Sequence, residues 1–512
     1  MDIVSVRPTP RAPGSYRLSK SKFLSGLQCH KRLYLEIHQR ELAAEPDEQT
    51  QAILDMGTAV GEEARCLFPG GVLVEADHRH PTEALRRTAE LLGDPSVPAI
   101  FEGAFEFEEV LVRVDILERV PRGAAGPGAT PDAWRLIEVK SSTRVKDIHL
   151  EDLAVQSHVL AGAGILLAGT WLMHINNQYV YPGGEIDLGQ LLALVDLGEP
   201  VAARIGEVPA RLAEMKAMLA QPHPPAIEPD SHCHSPYDCP FWEHCTKDKP
   251  ERWIYHLPGG ERTYKQLAAR GIQTIDEIPP DFKLSILQRR VKDDREWVGV
   301  QLRAALDSVR YPVHHLDFET FMPAIPKFPM TRPYQTIPTQ WSNHIETEPG
   351  EVRHEEYLCL EARDPREELA VTLLESLGRE GSICVYSSYE RSVLKSLAET
   401  LPSLKPELEL AIARLWDLLP VIQAHYYHPQ FGSSFSIKSV LPALVPSLDY
   451  GDLEIQEGSL AAQHYYRMVF EATDWVEKER LREALLKYCQ RDTLAMVELR
   501  RALLSRTSIP SQ

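Results

Sequence analysis

The sequence predicts two α/β domains in one chain, joined by a mostly helical segment. Three observations carry this. The chain has 512 residues, more than one compact core usually organises. From about Ser19 to Lys249, strand-like and helix-like runs alternate, and the stretch begins and ends near cysteines. From Tyr311 onward a second alternation starts and closes in the helical run "LREALLKYCQRDTLAMVELRRAL". Between them, Glu251 to about Leu306 reads as mostly helical. The expected domains are therefore 1–250, 251–306 and 307–512.

Hydrophobic residues at 43% and charged ones at 25% describe an ordinary globular protein with ample core material. The net charge of -19 argues against a generally basic nucleic-acid coat. It leaves nucleic acid open, because metal-binding carboxylates add negative charge and basic patches can be local. Residues 1–40 hold such a patch, eight Lys or Arg against Asp2 and Glu36, although a solvated terminus is the plainer reading. The longest nearly apolar run, Ala161 to Met173, is too short to span a bilayer. The N-terminal stretch lacks the apolar segment of a secretory signal. Eight cysteines in so long a chain do not make a disulfide scaffold. A cytoplasmic protein without a membrane partner is expected.

In the first domain, "EVLVRVDILERV" (Glu109 to Val120) and "AWRLIEVKSST" (Ala133 to Thr143) are strand-like. The Gly/Pro-rich "PRGAAGPGATPD" between them makes a β-hairpin the natural reading. In "IEVK" the strand period of two sends Ile137 and Val139 to one face, Glu138 and Lys140 to the other. Asp115 stands among apolar residues, where an unpaired carboxylate is costly to bury. Asp115 and Glu138 together make a hard oxygen site suited to Mg²⁺ or Mn²⁺. Lys140, one side-chain length away, is placed to orient or help deprotonate an attacking water. The following helical run, "HLEDLAVQSHVLAGAG", aims Gln156 at the same pocket. An isolated E-x-K is more often a surface pair on an edge strand; the order of Asp, Glu-x-Lys and Gln favours a site.

The first domain ends in "HCHSPYDCPFWEHC", where Cys233, Cys239 and Cys245 stand with five residues between each pair. Three thiols in so short a stretch beside His and Asp fit a metal better than a core. The whole order resembles the PD-(D/E)XK nuclease superfamily, most closely its RecB-like branch. Members of that branch with an iron–sulfur cluster, such as AddB nuclease domains and CRISPR-associated exonucleases, bracket the core with one upstream and three downstream cysteines. Cys29 in "SGLQCHKRLYLEIH" takes the upstream place. The resemblance implies that Cys29, Cys233, Cys239 and Cys245 hold a 4Fe-4S cluster, closing a long loop. Zinc is the alternative for four thiolates, with His232, His234 and His244 nearby. Two departures stand out. The related nucleases usually space the last three cysteines two residues then five apart. The branch often has an early metal-binding His, where this chain has Gly61 followed by Glu62 and Glu63; one of these acids, or Glu102, is the substitute ligand. Cys66, Cys359, Cys384 and Cys489 lie in apolar patterns and are expected in cores.

The middle segment includes "YKQLAARGIQTIDEIPPDFKLSILQRR", whose Gly271 and Pro279-Pro280 punctuate a helical hairpin. A plain domain linker is its simplest role. No Walker-type phosphate loop occurs in the sequence, so work on duplex ends would borrow a helicase or other motor.

The second domain opens with "YPVHHLDFETFM", where Asp317 and Glu319 share one face of a strand and Leu316 and Phe318 the other. "GSICVYSSYERSVLKSLAE" reads as a buried strand running into a helix with Glu390 at its start. In "KYCQRDT", Tyr488 and Asp492 lie four apart on one helical face. Together these resemble the DEDD exonucleases of the RNase H-like fold, in their tyrosine variant. The resemblance implies four carboxylates holding two divalent ions, with Tyr488 orienting the attacking water. Glu390 departs from the usual Asp, and Asp417 in "RLWDLLP" is the reserve candidate. Lys438 in "FSIKSVLPAL" could meet a phosphate, a solvated lysine being the safer reading.

The whole chain is similar to an uncharacterised bacterial family, the domain of unknown function 2779 group. The likeness rests on "FLSGLQCHKRLYLE", "CPFWEHC", "HHLDFETF", "TIPTQWSNH", "SIKSVLPAL" and "YCQRDT". The expected function is metal-dependent phosphodiester hydrolysis, on DNA first and RNA second, in repair, recombination or defence. The rival expectations are a nucleic-acid-binding scaffold with inactive sites and a hydrolase of small phosphodiesters.

Overall fold

The computed structural model describes residues 16–77, 79–120 and 133–507. Residues 1–15 of the basic arm and the hairpin loop "PRGAAGPGATPD" lie outside the described residues. The chain divides into two compact units, residues 1–248 with 323–334, and residues 249–322 with 335–512. The helical segment expected as a separate piece over 251–306 is therefore part of the second unit, while Pro323–Tyr334 is a short return to the first.

The first unit is built on a seven-stranded sheet. Its strands are β1 (Leu18–Ser19), β2 (Val72–Leu73), β3 (Ala99–Phe107), β4 (Val110–Arg119), β5 (Trp134–Lys140), β6 (Leu167–Ile175) and β7 (Leu192–Asp196). They run in the order β2-β3-β4-β5-β6-β7, with β1 paired to β4. The antiparallel pairing of β4 with β5 is the hairpin that the sequence pattern predicts. From β5 the chain crosses through the helix Asp147–Gly162 to β6, which pairs with β5 in parallel.

The period of two explains β4, where Val110, Val112, Val114 and Ile116 are buried and Leu111, Arg113 and Asp115 only half-buried. Neighbours on β5 divide between two hydrophobic clusters: Leu136 joins Val112, Val114, Leu153 and Leu160, while Ile137 joins Ile116, Met173 and Val60. The crossover helix is buried on almost every side, so its polar Asp152 and Gln156 are buried with it. Such groups must find partners or cost stability.

The second unit holds β8 (Trp297–Val298), β9 (Val313–Phe321), β10 (Ile337–Glu348), β11 (Glu351–Leu358), β12 (Ser382–Val385), β13 (Leu415–Asp417) and β14 (Tyr426–Tyr427). Five of them form a sheet in the order β11-β10-β9-β12-β13. The first three are antiparallel neighbours, whereas β12 and β13 run parallel to β9. β8 and β14 make a separate two-stranded ribbon. Leu316 and Phe318 of β9 pack with Trp341, Leu369, Ile383 and Leu394. That leaves the opposite face of β9, with Asp317 and Glu319, toward the terminal helix Trp475–Arg506. The segment expected as a helical hairpin holds two helices, Gly260–Ala268 and Ile286–Asp293, with Gly271 at φ +74 just past the first.

Candidate functional site

The structure gathers the first set of expected residues into one polar cluster. Glu138 is 1% exposed, and its Oε1 accepts from Lys140 Nζ at 2.6 Å and from Lys20 Nζ at 2.7 Å. Asp152 receives the same two ammonium groups, Lys140 at 2.9 Å and Lys20 at 3.5 Å. Gln156 Nε2 donates to Glu138 Oε2 at 2.7 Å and to Asp152 Oδ1 at 2.9 Å. Asp115 accepts the backbone N–H of Val139 at 2.8 Å, fixing its carboxyl to the strand that carries Glu138 and Lys140.

Burial opposes the Glu138 charge, but Lys140 and Lys20 outweigh it and hold the group well below the usual carboxylate range. Asp115 is pushed up to about 7 by burial and then by the Glu138 charge. Asp152 is raised too, by burial and by Glu138. Lys140 stays charged because Glu138, Asp152 and Asp115 more than offset its own burial. Of the three acids expected as stand-ins for the early His, Glu102 is ion-paired to Arg65 at 3.2 Å and Arg113 at 3.4 Å, and its charge adds to the upward push on Asp115.

The four expected cysteines also converge within the first unit. Cys29 caps the C-terminus of the helix Lys20–Gln28, Cys233 lies in the turn Ser231–His234, and Cys245 in the short helix Trp242–Thr246. The Cys239 N–H donates to the Cys233 carbonyl at 2.8 Å. Gln28 Nε2 donates to the carbonyls of His232 at 2.8 Å and Tyr237 at 2.7 Å, tying the upstream helix to the cysteine loop. Burial raises the Cys233 and Cys245 thiols and pushes Cys239 up to about 11, and the Cys29 charge raises all three further. All eight cysteines are free thiols.

In the second unit, Asp317 and Glu319 of β9, Glu390 at the start of the helix Tyr389–Thr400, and Asp492 of the terminal helix meet electrostatically. Burial and their mutual repulsion raise Asp317 and Glu319 well above the usual range. Burial brings Glu390 to about 7 and Asp492 to about 6. The Oε2 of Glu390 is buried without a hydrogen-bond partner. Tyr488 and Tyr450 both hydrogen-bond Asp492, the Tyr450 hydroxyl donating to Oδ1. Among the described residues, Asp317, Glu319 and Cys489 form the one set of three possible metal ligands whose atoms lie within 4.8 Å of one another.

Cys66 is exposed, not in a core, and Cys489, although buried, sits 3.7 Å from Asp317 Oδ2. Asp417, the reserve, caps the helix Leu418–His425 by accepting the Leu419 N–H at 3.0 Å, and its charge also pushes Glu390 upward. Lys438 is half-buried, with Nζ 5.5 Å from the Tyr488 ring centre and 5.6 Å from that of Tyr450.

Sequence reasoning missed Lys20, Asp152, Tyr450 and the place of Cys489. Asp152 had a signal, because it precedes Gln156 by one helical turn and shares its face. Cys489 had one too, being next to Tyr488. Tyr450 lies in a loop and had none.

Comparison with curated proteins finds no match. The family model described as "Domain of unknown function (DUF2779)" matches residues 314–436, a stretch that holds Asp317, Glu319 and Glu390 and stops before Tyr488 and Asp492.

Proposed function

We propose that the protein is a divalent-metal-dependent nuclease with two hydrolytic sites, one in each unit. The observation that carries this is the convergence of buried Glu319, Glu390 and Asp492 and half-buried Asp317, from three separate elements, into one cluster. Burying four acids together without cations is unfavourable, and their raised pKa values register that. Carboxylate oxygens, one of them without any partner, are the donor set that Mg²⁺ or Mn²⁺ takes.

When bound, such ions polarise a phosphodiester and make water nucleophilic near neutral pH. The residues would divide the rest of the work. Asp317, Glu319, Glu390 and Asp492 hold the cations, and Tyr488 orients a water beside Asp492. The strand order β11-β10-β9-β12-β13 supports an RNase H-like reading of this unit. In the first unit, Asp115 and Glu138 would hold a cation, Gln156 fixes the Glu138 carboxylate, and Lys140 positions water or phosphate. Three antiparallel strands followed by a helix and a parallel strand support the PD-(D/E)XK reading.

The four thiols suit a metal group that ties the two ends of the first unit together. Zinc would set its sulfurs about 3.8 Å apart, from Zn–S bonds near 2.3 Å. The 4Fe-4S cluster is the group we favour, from the order of one upstream and three downstream cysteines, with zinc the alternative. DNA is the substrate we favour, RNA the alternative, and a partner motor would supply opened ends.

The test is cleavage of end-labelled single- and double-stranded DNA with Mg²⁺ or Mn²⁺, the protein being purified without oxygen. Wild type, Lys140→Ala and Asp317→Ala would run side by side. Loss of a distinct product in each variant, by about 10²-fold or more, is expected. Binding without cleavage by wild type would replace this reading with a scaffold, and cleavage of model esters alone would replace it with a small-phosphodiester hydrolase.

A further inference from the structure

The helix Lys20–Gln28 reaches both special places in the first unit. Its first residue, Lys20, lies 2.7 Å from Glu138 Oε1 and 3.5 Å from Asp152 Oδ1. Its last residue, Gln28, holds the carbonyls of His232 and Tyr237, and its C-cap is Cys29. A nine-residue helix is about 13 Å long, at roughly 1.5 Å per residue. The carboxylate cluster and the thiol cluster thus sit at opposite ends of one short bar.

The bar is held firmly. Ser19 caps its N-terminus by accepting the Lys22 N–H at 3.3 Å, and the Cys29 N–H closes the other end on the Ser25 carbonyl at 2.9 Å. Phe23 and Ser25 are buried, and Ser25 Oγ donates to Glu36 at 2.9 Å. At Gly26 a Cβ would come within 2.7 Å of the end of the Met215 side chain and 2.9 Å of that of Leu33, so these side chains lie close against the helix backbone there. Just before the helix, β1 pairs with Val110 and Leu111 of β4, the strand that carries Asp115. Movement at Cys29 must therefore move Lys20, with little slack in between.

Resting on the nuclease reading of this site, we propose that Lys20 is a positioning residue for Glu138 and Asp152, and that the four-thiol group sets its place through the helix Lys20–Gln28. Two ammonium groups share Glu138 Oε1, which leaves Lys140 supported rather than drawn wholly into one ion pair. Lys20 also offsets negative charge that would otherwise over-tighten a cation on Asp115 and Glu138. Disrupting the thiol group would free the helix end, withdraw Lys20 and leave the Lys140 site assembled but mistuned.

The test uses the full chain with Asp317→Asn, so that products come from the first unit alone. Lys20→Met, Lys20→Arg and Cys245→Ser are compared for Mn²⁺ affinity by calorimetry, kcat and KM, and exchange of the Lys22–Gln28 amides. Lys20→Met is expected to lower kcat about tenfold with KM nearly unchanged. It should tighten Mn²⁺ about threefold, because one nearby positive charge is gone. A merely structural role would weaken both. Lys20→Arg should restore much of kcat. Cys245→Ser lies off the helix, yet it should reproduce the Lys20→Met pattern and speed amide exchange in Lys22–Gln28. If Cys245→Ser does not fold, amide exchange of the folded parent during chelation of the thiol-bound metal gives the same answer. Normal kcat in Lys20→Met overturns the positioning role, and unchanged exchange on thiol disruption overturns the coupling. Failure of Lys140→Ala to affect cleavage, or no Mn²⁺ binding at all, would instead overturn the nuclease reading of this site.

Discussion

The first unit's cluster carries enough counter-charge to hold Glu138 as an anion, and the second unit's cluster carries too little to keep its acids in the usual range. Lys20 and Lys140 stand at 2.7 Å and 2.6 Å from Glu138, so that acid remains an anion without any metal. In the second unit the nearest lysine with an electrostatic effect, Lys438, gives its ammonium to the Gln456 carbonyl, and the four acids are all raised. Similar chemistry is thus expected from opposite resting electrostatics. One cluster keeps Glu138 ionised through two ammonium groups, whereas the other raises all four of its acids.

The largest way to break this contrast is to remove one acid from each. Glu138→Gln leaves Lys20 and Lys140 facing a neutral partner and should destabilise the metal-free protein by about 3–5 kcal/mol. Asp317→Asn removes a group that burial and its neighbours disfavour as an anion and should stabilise it. Chemical denaturation in EDTA measures both, and equal losses in the two variants would end the contrast.

A smaller effect comes from adding the cation. At Mn²⁺ one hundred times its dissociation constant, wild type should gain about 2.7 kcal/mol. Asp317→Asn should lose most of that gain while Glu138→Gln keeps the share due to the second unit. A gain untouched by Asp317→Asn would place the strong metal site elsewhere.

The pH dependence sharpens the same point. Folding raises Glu390 to about 7 and Asp492 to about 6, against unfolded values near 4. The native state then holds protons that the unfolded chain releases, so stability is full below about pH 4 and falls as pH rises toward 7. In the first unit Asp115, raised to about 7, acts in that direction, while Glu138, lowered, contributes stability that is lost as pH falls. Glu138 acts only below about pH 4, so the metal-free slope between about pH 4 and 7 is shared by the four raised acids of the second unit with Asp115 and Asp152 of the first. Melting scans across that range should show it flattened in Asp317→Asn; an unaltered slope would contradict the assignment.

The smallest change is Tyr450→Phe. Losing the hydroxyl that donates to Asp492 should favour the protonated acid and move the acid limb of the cleavage–pH profile upward by less than one unit. Mn²⁺ should weaken about threefold at pH 6 and less at pH 8. A uniform loss at every pH would assign Tyr450 to packing alone.

The elements around these sites were largely legible, because local periodicity specifies them. The hairpin of β4 and β5 follows from alternating valines, and the strand with Asp317 follows from Leu316 and Phe318 facing the core. Partners brought from far along the chain were not legible. Lys20 meets Glu138 across more than a hundred residues, and no local pattern encodes that approach. Tyr450 reaches Asp492 from an irregular loop, where side-chain direction has no period to read. The excursion Pro323–Tyr334 was invisible for the same reason: its membership of the first unit rests on tertiary pairing, such as the Tyr181 N–H to the Thr331 carbonyl at 2.9 Å.

That excursion has a consequence for heredity. Because the polypeptide visits the first unit twice and the second unit twice, neither is a contiguous stretch of coding sequence. A single gene break after Asp248 would hand one descendant a first unit lacking Pro323–Tyr334, and with it the Tyr334 hydroxyl that bonds the Ser141 carbonyl just past Lys140. The two halves cannot be shuffled as cassettes by one crossover.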